Sequence, residues 1–350
     1  MLIETEKYLN NALSFNAQER ELHDLLLAQL PQLIVDIHTH TGRQQDVVNL
    51  HQELLLSKAS TYPYFDKQNH LETRQALWGE KQIRQVVFGF PLNGVDIASA
   101  NLHIREVCNG DSSFIPFLLG NPNDVEYTSG EIKQGFWKGL KVYPWQLMPP
   151  AKKIVDFLPE AILRLVADTH MAIMLHLPNG LTQDLPELTQ IAQRFSRAKF
   201  MVAHFGFLRK DDPETIVSLK AIKNYNNIIL DTSVYDDEAV FTSAFRILGP
   251  EKIVYGSDQP FNLIRGETVF HPILGKRTMT DNLDYHWVDK EEQLQYRHDL
   301  GINPAELPNM HFSSLNALLT AIEITFIQKA EQNLVKEMIF NKNAAVLLGI

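Results

Sequence analysis

From residue 33 onward, short apolar or β-branched runs recur along the chain with longer mixed segments between them, the alternation expected of strands and helices in turn. Eight such runs stand out, at 33–38, 83–90, 114–119, 139–143, 171–176, 200–204, 227–231 and 252–255. Several are nearly continuous in apolar residues, as strands covered by helices on both faces should be. Between them, 156–169, 184–197, 212–223 and 238–248 are long enough for crossover helices, and most open near an acidic or Pro-Glu start. Eight strands with seven crossovers predict an α/β fold, a (β/α)8 or TIM barrel, whose usual length is about 250 residues.

The additional length falls in places such a barrel can absorb. A mostly helical leader occupies 5–30, and two insertions, 41–82 and 259–310, follow the C-terminal ends of the first and eighth strands. Active sites of these barrels form at that face, so the insertions are expected to rise over it as a lid. Tyr62, Tyr64 and Phe65 in the first, and Arg265, His271 and Trp287 in the second, are candidates for shaping a pocket. The segment 314–348 reads as C-terminal helices packed outside the barrel. The composition shows no break between halves, so the 350 residues read as one domain with a barrel core at about 33–260.

Charge and cysteine content narrow the functional classes. A formal charge of -10 offers no broad cationic footprint for nucleic acid or anionic lipid. The one cysteine, Cys108, excludes an internal disulfide framework and fits a reducing cytosol. The N-terminus carries acids early and lacks a secretory pattern, and no apolar run approaches the roughly 20 residues of a membrane helix. A cytoplasmic protein acting on a small molecule is expected.

Candidate chemistry sits where the runs end. His38 and His40 close the first run, and residues i and i+2 of a strand share a face, so both imidazoles can converge on one ion. Lys141 lies in the fourth run, His176 ends the fifth, His204 ends the sixth and Asp258 follows the eighth. A barrel gathers all of these at one mouth, supplying the imidazole nitrogens and carboxylate oxygens that zinc or a similar divalent ion takes. Asp36 has the inward direction of His38 but lies deeper, and reads as a buried polar residue bonding its neighbours. Arg43, Tyr143, Trp145 and Tyr235 follow strands and are candidates for binding substrate, as is Arg265 in the second insertion; Asp231, Thr232 and Ser233 are further rim positions.

These residues carry a resemblance. Asp36-Ile37-His38-Thr39-His40, Gly139-Leu140-Lys141-Val142-Tyr143-Pro144, Leu175-His176, Ala203-His204-Phe205-Gly206 and Tyr255-Gly256-Ser257-Asp258-Gln259-Pro260 resemble motifs of the amidohydrolase superfamily. The likeness is strongest to the amidohydrolase-2 branch, which contains amino-carboxymuconate-semialdehyde decarboxylase and several lactonases. It spans about residues 33–260. The resemblance implies metal ligation by His38, His40, His176 and Asp258, with His204 binding or orienting the reacting group. In the superfamily's binuclear branch a strand-four lysine is carboxylated and bridges two metals, and dihydroorotases share the Lys-apolar-Tyr-Pro context; in the mononuclear branch the lysine does not bridge. One ion, zinc with manganese as the alternative, is favoured over two, because His204 then stays free for chemistry. A homo-oligomer, taken as a dimer, is a family-level expectation.

The chemistry expected is hydrolysis of an ester, lactone or amide, with Asp258 taking and returning a proton while the ion or protonated His204 polarises the carbonyl. The same residues serve an alternative, decarboxylation or hydration of an unsaturated carboxylic acid, which an arginine near the metal would favour. A non-catalytic barrel that binds a small molecule is the third reading.

Overall fold

Strand β1 (Leu33–His40) is buried from its second residue to its last, and the whole fold is arranged around it. The computed structural model describes residues 12–48, 64–283 and 288–350, apart from the Lys276 side chain. The strands β2 (Gln82–Phe88), β3 (Phe114–Leu119), β4 (Gly139–Val142), β5 (Ala172–Leu175), β6 (Lys199–Val202), β7 (Ile228–Asp231) and β8 (Ile253–Val254) follow β1 in one parallel sheet, in chain order. Backbone hydrogen bonds close the circle between its first and last members: Ile37 N–H reaches the Tyr255 carbonyl at 3.0 Å, Asp258 N–H that of His38 at 2.8 Å, and His40 N–H that of Gln259 at 2.7 Å. The (β/α)8 barrel expected from the hydrophobic pattern is the fold observed.

Local sequence explains the helices between strands. Glu238–Leu248 is typical: Asp237 caps its N-terminus by accepting from Val240 N–H, Gly249 ends it, and Val240, Phe241, Ala244, Phe245 and Leu248 form the buried stripe. Each large apolar side chain buried in this way contributes about 1.5–3 kcal/mol.

Register then places the chemistry. Lys141 pairs with Leu119, Val142 with Leu175, Leu175 with Val202, and Asp231 with Val254, so the strand ends lie level at one rim. In β1 the pairing shifts between Asp36 and Thr39, leaving Ile37 and His38 opposite Val86 alone. Such a bulge turns side chains locally and is common beside active sites.

The opposite end is plugged. Ala344, Leu347 and Leu348 of the last helix (Asn343–Leu348) join the barrel's interior cluster with Val35, Phe117, Met174 and Val254. Lys199 Nζ donates to the Leu347 carbonyl at 2.9 Å, and Asn343 Nδ2 to those of Pro250 and Ile253 at 2.8 Å. All three partners stand at or before strand starts, so the last helix forms the barrel floor. The helix Met310–Thr325 packs outside against Glu238–Leu248 and Ala17–Gln29, as the sequence pattern suggested for the whole segment. The apolar positions of the last helix are the same for either location.

The second insertion carries an antiparallel hairpin, β9 (Gly266–His271) and β10 (Gly275–Thr280), and the helix Lys290–Leu300. The first contributes the helix Lys67–Trp78; Tyr62 there, and Trp287 in the second, lie outside the described residues. Phe65 is fully buried against His70, and His271 accepts from the Ile273 and Leu274 N–H groups at the hairpin turn. These two shape the insertions themselves. No helix among the described residues is long and apolar enough to cross a membrane.

Candidate metal centre

His38 and His40 reach the same carboxylate from one strand. The Nε2 atoms stand 3.1 and 3.0 Å from Asp258 Oδ1, and all three residues are buried. Ligand atoms about 2.0–2.2 Å from a zinc ion at tetrahedral angles lie about 3.3–3.5 Å apart, close to the spacing here. Among the described residues, His38, His40 and Asp258 form the one group of three whose ligand atoms all fall within 4.8 Å of one another.

Hydrogen bonding settles which nitrogens face this point. His38 Nδ1 lies 2.8 Å from Asp231 Oδ2, so Nδ1 carries the hydrogen and Nε2 presents its lone pair. That lone pair faces a carboxylate oxygen, an arrangement that asks for positive charge between them. The direction of the His38 pKa agrees: burial and Lys141 push it down, and Asp231 and Asp258 outweigh them and raise it. For Asp258, burial opposes ionisation, yet His38, His204 and His40 hold its carboxyl well below the usual range. Burial brings the His40 pKa down to about 4, keeping this imidazole neutral as a ligand must be. The donor set fits a divalent cation.

The other predicted residues enter the same cavity with different roles. Lys141 Nζ lies 3.3 Å from His38 Nε2, and burial lowers its pKa to about 8 against the pull of Asp258 and Asp231. His176 donates through Nδ1 to the Leu177 carbonyl at 3.1 Å and leaves Nε2 free of a proton; its ring lies 5.2 Å from that of His204 and 4.4 Å from that of Tyr143. It stands beside the three-residue cluster and outside it.

His204 sits on an unusual piece of backbone. His204, Phe205 and Gly206 have φ of 54°, 52° and 65°, and Phe207 has 55°, a left-handed turn that costs about 1–2 kcal/mol for each non-glycine residue. Only glycine fits at 206, because a Cβ there would approach Leu181 Cβ to 2.7 Å. The turn is held from β7: His204 N–H donates to Asp231 Oδ1 at 3.0 Å, and His204 Nδ1 lies 3.2 Å from the Ser233 carbonyl. Val234 and Asp258 share this positive-φ condition at φ 45° and 63°, so strain concentrates around the centre.

Above these groups the cavity, of about 580 Å³, has a wall of Phe90, Leu92, Tyr143, Trp145, Phe207, Phe261, Ile264 and Met310. Its rim holds Tyr235, Arg209, Asp236 and, from the hairpin, Thr268, Arg277, Thr278 and Thr280. Tyr143, Trp145 and Tyr235 thus line the cavity. Two expected arginines do not. Arg43 is held by Asp46 and Glu106, both at 3.0 Å, and Arg265 by Glu19, because acids brought close by the fold claim each guanidinium. The cations at the rim are instead Arg209, paired with Asp211 at 2.7 Å, and Arg277, paired with Glu292 at 2.8 Å. Asp231 and Ser233 are fully buried beneath the rim, against the histidines. Asp36 accepts from Ser257 N–H and Oγ at 2.9 and 2.6 Å, the buried structural role its depth suggested.

Comparisons with known proteins identify the family and the fold. The amidohydrolase family model, Amidohydro_2, matches residues 35–273, well over half of the chain. A search of curated proteins found no match. Among solved structures, 5-carboxyvanillate decarboxylase from Novosphingobium aromaticivorans, in complex with manganese and 4-hydroxy-3-methoxy-5-nitrobenzoic acid, is similar at a TM-score of 0.57 and 11% identity, covering 91% of this chain and 97% of that one. An amidohydrolase from Burkholderia multivorans with bound zinc gives 0.56 and 12%, over 91% and 99%. Amidohydrolase 2 from Bifidobacterium longum subsp. infantis gives 0.54 and 15%, over 91% and 100%. At these identities the likeness is one of fold, and the family follows from the sequence model: this chain belongs to the amidohydrolase-2 family of metal-dependent enzymes.

Proposed function

We propose that the chain is a metal-dependent hydrolase that cleaves an ester, lactone or amide of a small molecule with an apolar or aromatic body. The observation that carries this reading is the convergence of His38 Nε2 and His40 Nε2 on Asp258 Oδ1 at the base of an aromatic-walled cavity. His38, His40 and Asp258, with His176 beside them, would hold a zinc or manganese ion. When bound, such an ion acidifies water and polarises a carbonyl. Asp258 takes the proton of the attacking water and returns it to the leaving oxygen or nitrogen, so hydroxyl joins the acyl carbon as the acyl bond breaks. His204, its Nδ1 occupied by the Ser233 carbonyl, offers Nε2 to the substrate oxygen and donates to it once protonated. The apolar wall excludes bulk water and strengthens these interactions.

A second reading, metal-assisted decarboxylation or hydration of an unsaturated carboxylic acid, draws on the same wall, since a carboxylate stripped of water loses carbon dioxide more readily. One screen separates the two. Protein reconstituted with zinc or manganese is offered esters, lactones and N-acyl compounds alongside aromatic and unsaturated dicarboxylic acids, with acid release and carbon dioxide release followed separately. Turnover of the first group is expected. Carbon dioxide release alone would replace hydrolysis with the second reading, and inactivity on all substrates despite tight metal binding would count against both.

A further inference from the structure

We infer that Asp231 is a positioning residue that sets the tautomer of His38 and the placement of His204 at once, so that one buried carboxylate couples the metal ligand to the catalytic histidine. Its two oxygens do different work. Oδ2 accepts the His38 Nδ1 hydrogen at 2.8 Å. Oδ1 accepts the backbone N–H groups of His204 at 3.0 Å and Ser233 at 2.9 Å, and the Ser233 hydroxyl also donates to it. Ser233 Oγ, in turn, is 3.1 Å from Nδ1 of both His38 and His204. Asp231 and Ser233 are fully buried, so no water substitutes for a lost partner without rearrangement.

Every group facing Asp231 is a donor, and that makes the carboxylate hard to replace. An asparagine there has one acceptor oxygen and one NH2 group that must meet a donor at one end or the other. Three donors, one from the left-handed turn and two from Ser233, meet at the Oδ1 end, and a single donor waits at the Oδ2 end. The amide oxygen therefore stays with the turn and the NH2 group faces His38. His38 answers by accepting at Nδ1 and moving its hydrogen to Nε2, the atom aimed at Asp258, where the hydrogen removes the lone pair a cation needs. The substitution thus damages the metal site through a proton shift on a residue it leaves unchanged.

The test uses the intact protein and zinc. For Asp231→Asn, zinc affinity by competition with a chromophoric chelator should fall about 10- to 100-fold, and histidine-resolved nitrogen NMR should show the hydrogen of His38 moving from Nδ1 to Nε2. Ser233→Ala removes one donor from Oδ1 and the hydroxyl beside both imidazoles while leaving the Asp231–His38 bond; it should retain zinc affinity, keep the His38 hydrogen on Nδ1 and shift the His204 signals. Wild-type affinity and an unchanged His38 tautomer in Asp231→Asn would overturn the inference, as would loss of zinc in Ser233→Ala. The inference rests on the metal-centre reading only for its affinity arm. Should the parent protein take up no zinc, that reading fails by itself and the tautomer measurement still decides the coupling. Should Asp231→Asn not fold, the Ser233→Ala spectra decide it, with unmoved His204 signals counting against it.

Discussion

Arg265, just ahead of the hairpin, closes on Glu19 in the leader helix, with Nη2 3.1 Å from Oε2 and side chains only 14% and 8% exposed. Glu19 also completes the capping box of that helix with Asn16. Burial disfavours its charge, but the Arg265 partner outweighs this and lowers its pKa. Arg265→Ala leaves that carboxylate without its counter-ion, and a loss of about 2–4 kcal/mol is expected. Urea unfolding should show the loss, while zinc affinity stays at the parent level. A stable variant with impaired zinc binding would return Arg265 to the site.

Asp258→Asn should keep the fold and lose most turnover, because asparagine tolerates the left-handed backbone at this position. The substitution also weakens the ion site by removing the negative charge shared by His38 and His40. Turnover on any substrate found by the screen should drop about 100- to 10,000-fold, with the circular dichroism spectrum unchanged. Parent-level turnover would assign the proton transfer to another group.

Metal removal should be visible in stability before any substrate is known. A cation that binds only the folded chain, present at 100 times its dissociation constant, adds about 2.7 kcal/mol to unfolding. Chelated protein should therefore unfold at lower urea than protein given zinc or manganese, and His40→Ala should show no difference between the two conditions. Equal unfolding of the parent protein with and without metal would defeat the metal-centre reading.

Acid should destabilise the chelated protein earlier than its carboxylates alone would suggest. Burial holds the His311 pKa at about 3 and that of His70 well below its ordinary value. An unfolded histidine titrates near pH 6.5, so below that value the unfolded chain binds protons that the folded chain refuses. Stability is then lost as pH falls from about 6.5 toward 3, by up to about 1.4 kcal/mol per pH unit for each such histidine. Urea unfolding between about pH 7 and pH 5 should show this slope, and His311→Gln should flatten it. An unchanged slope would place the proton uptake elsewhere.

Much of the fold was legible because its elements carry their own local signals. The helix Glu238–Leu248 has a capping aspartate, an apolar stripe and a terminating glycine in the sequence itself, and structure and pattern agree to the residue. The i, i+2 spacing of His38 and His40 needs only a strand to become a shared face. Where partners come from afar, pattern was silent. Arg43 and Arg265 looked like free cations near a mouth until Asp46, Glu106 and Glu19 were brought beside them. Asp231 read as one more polar residue after a strand; its burial against His38 depends on a contact across 193 positions. Gly206 was the sole local hint of the left-handed turn under His204.

With Ala344, Leu347 and Leu348 stoppering the strand starts, the barrel is a cup and not a tunnel. Among the described residues the cavity opens beside the hairpin and not through the strand starts, so on the proposed function a product would leave by the way its substrate came. A product held against the aromatic wall would then obstruct the next arrival, and inhibition by product is the behaviour such a cup favours.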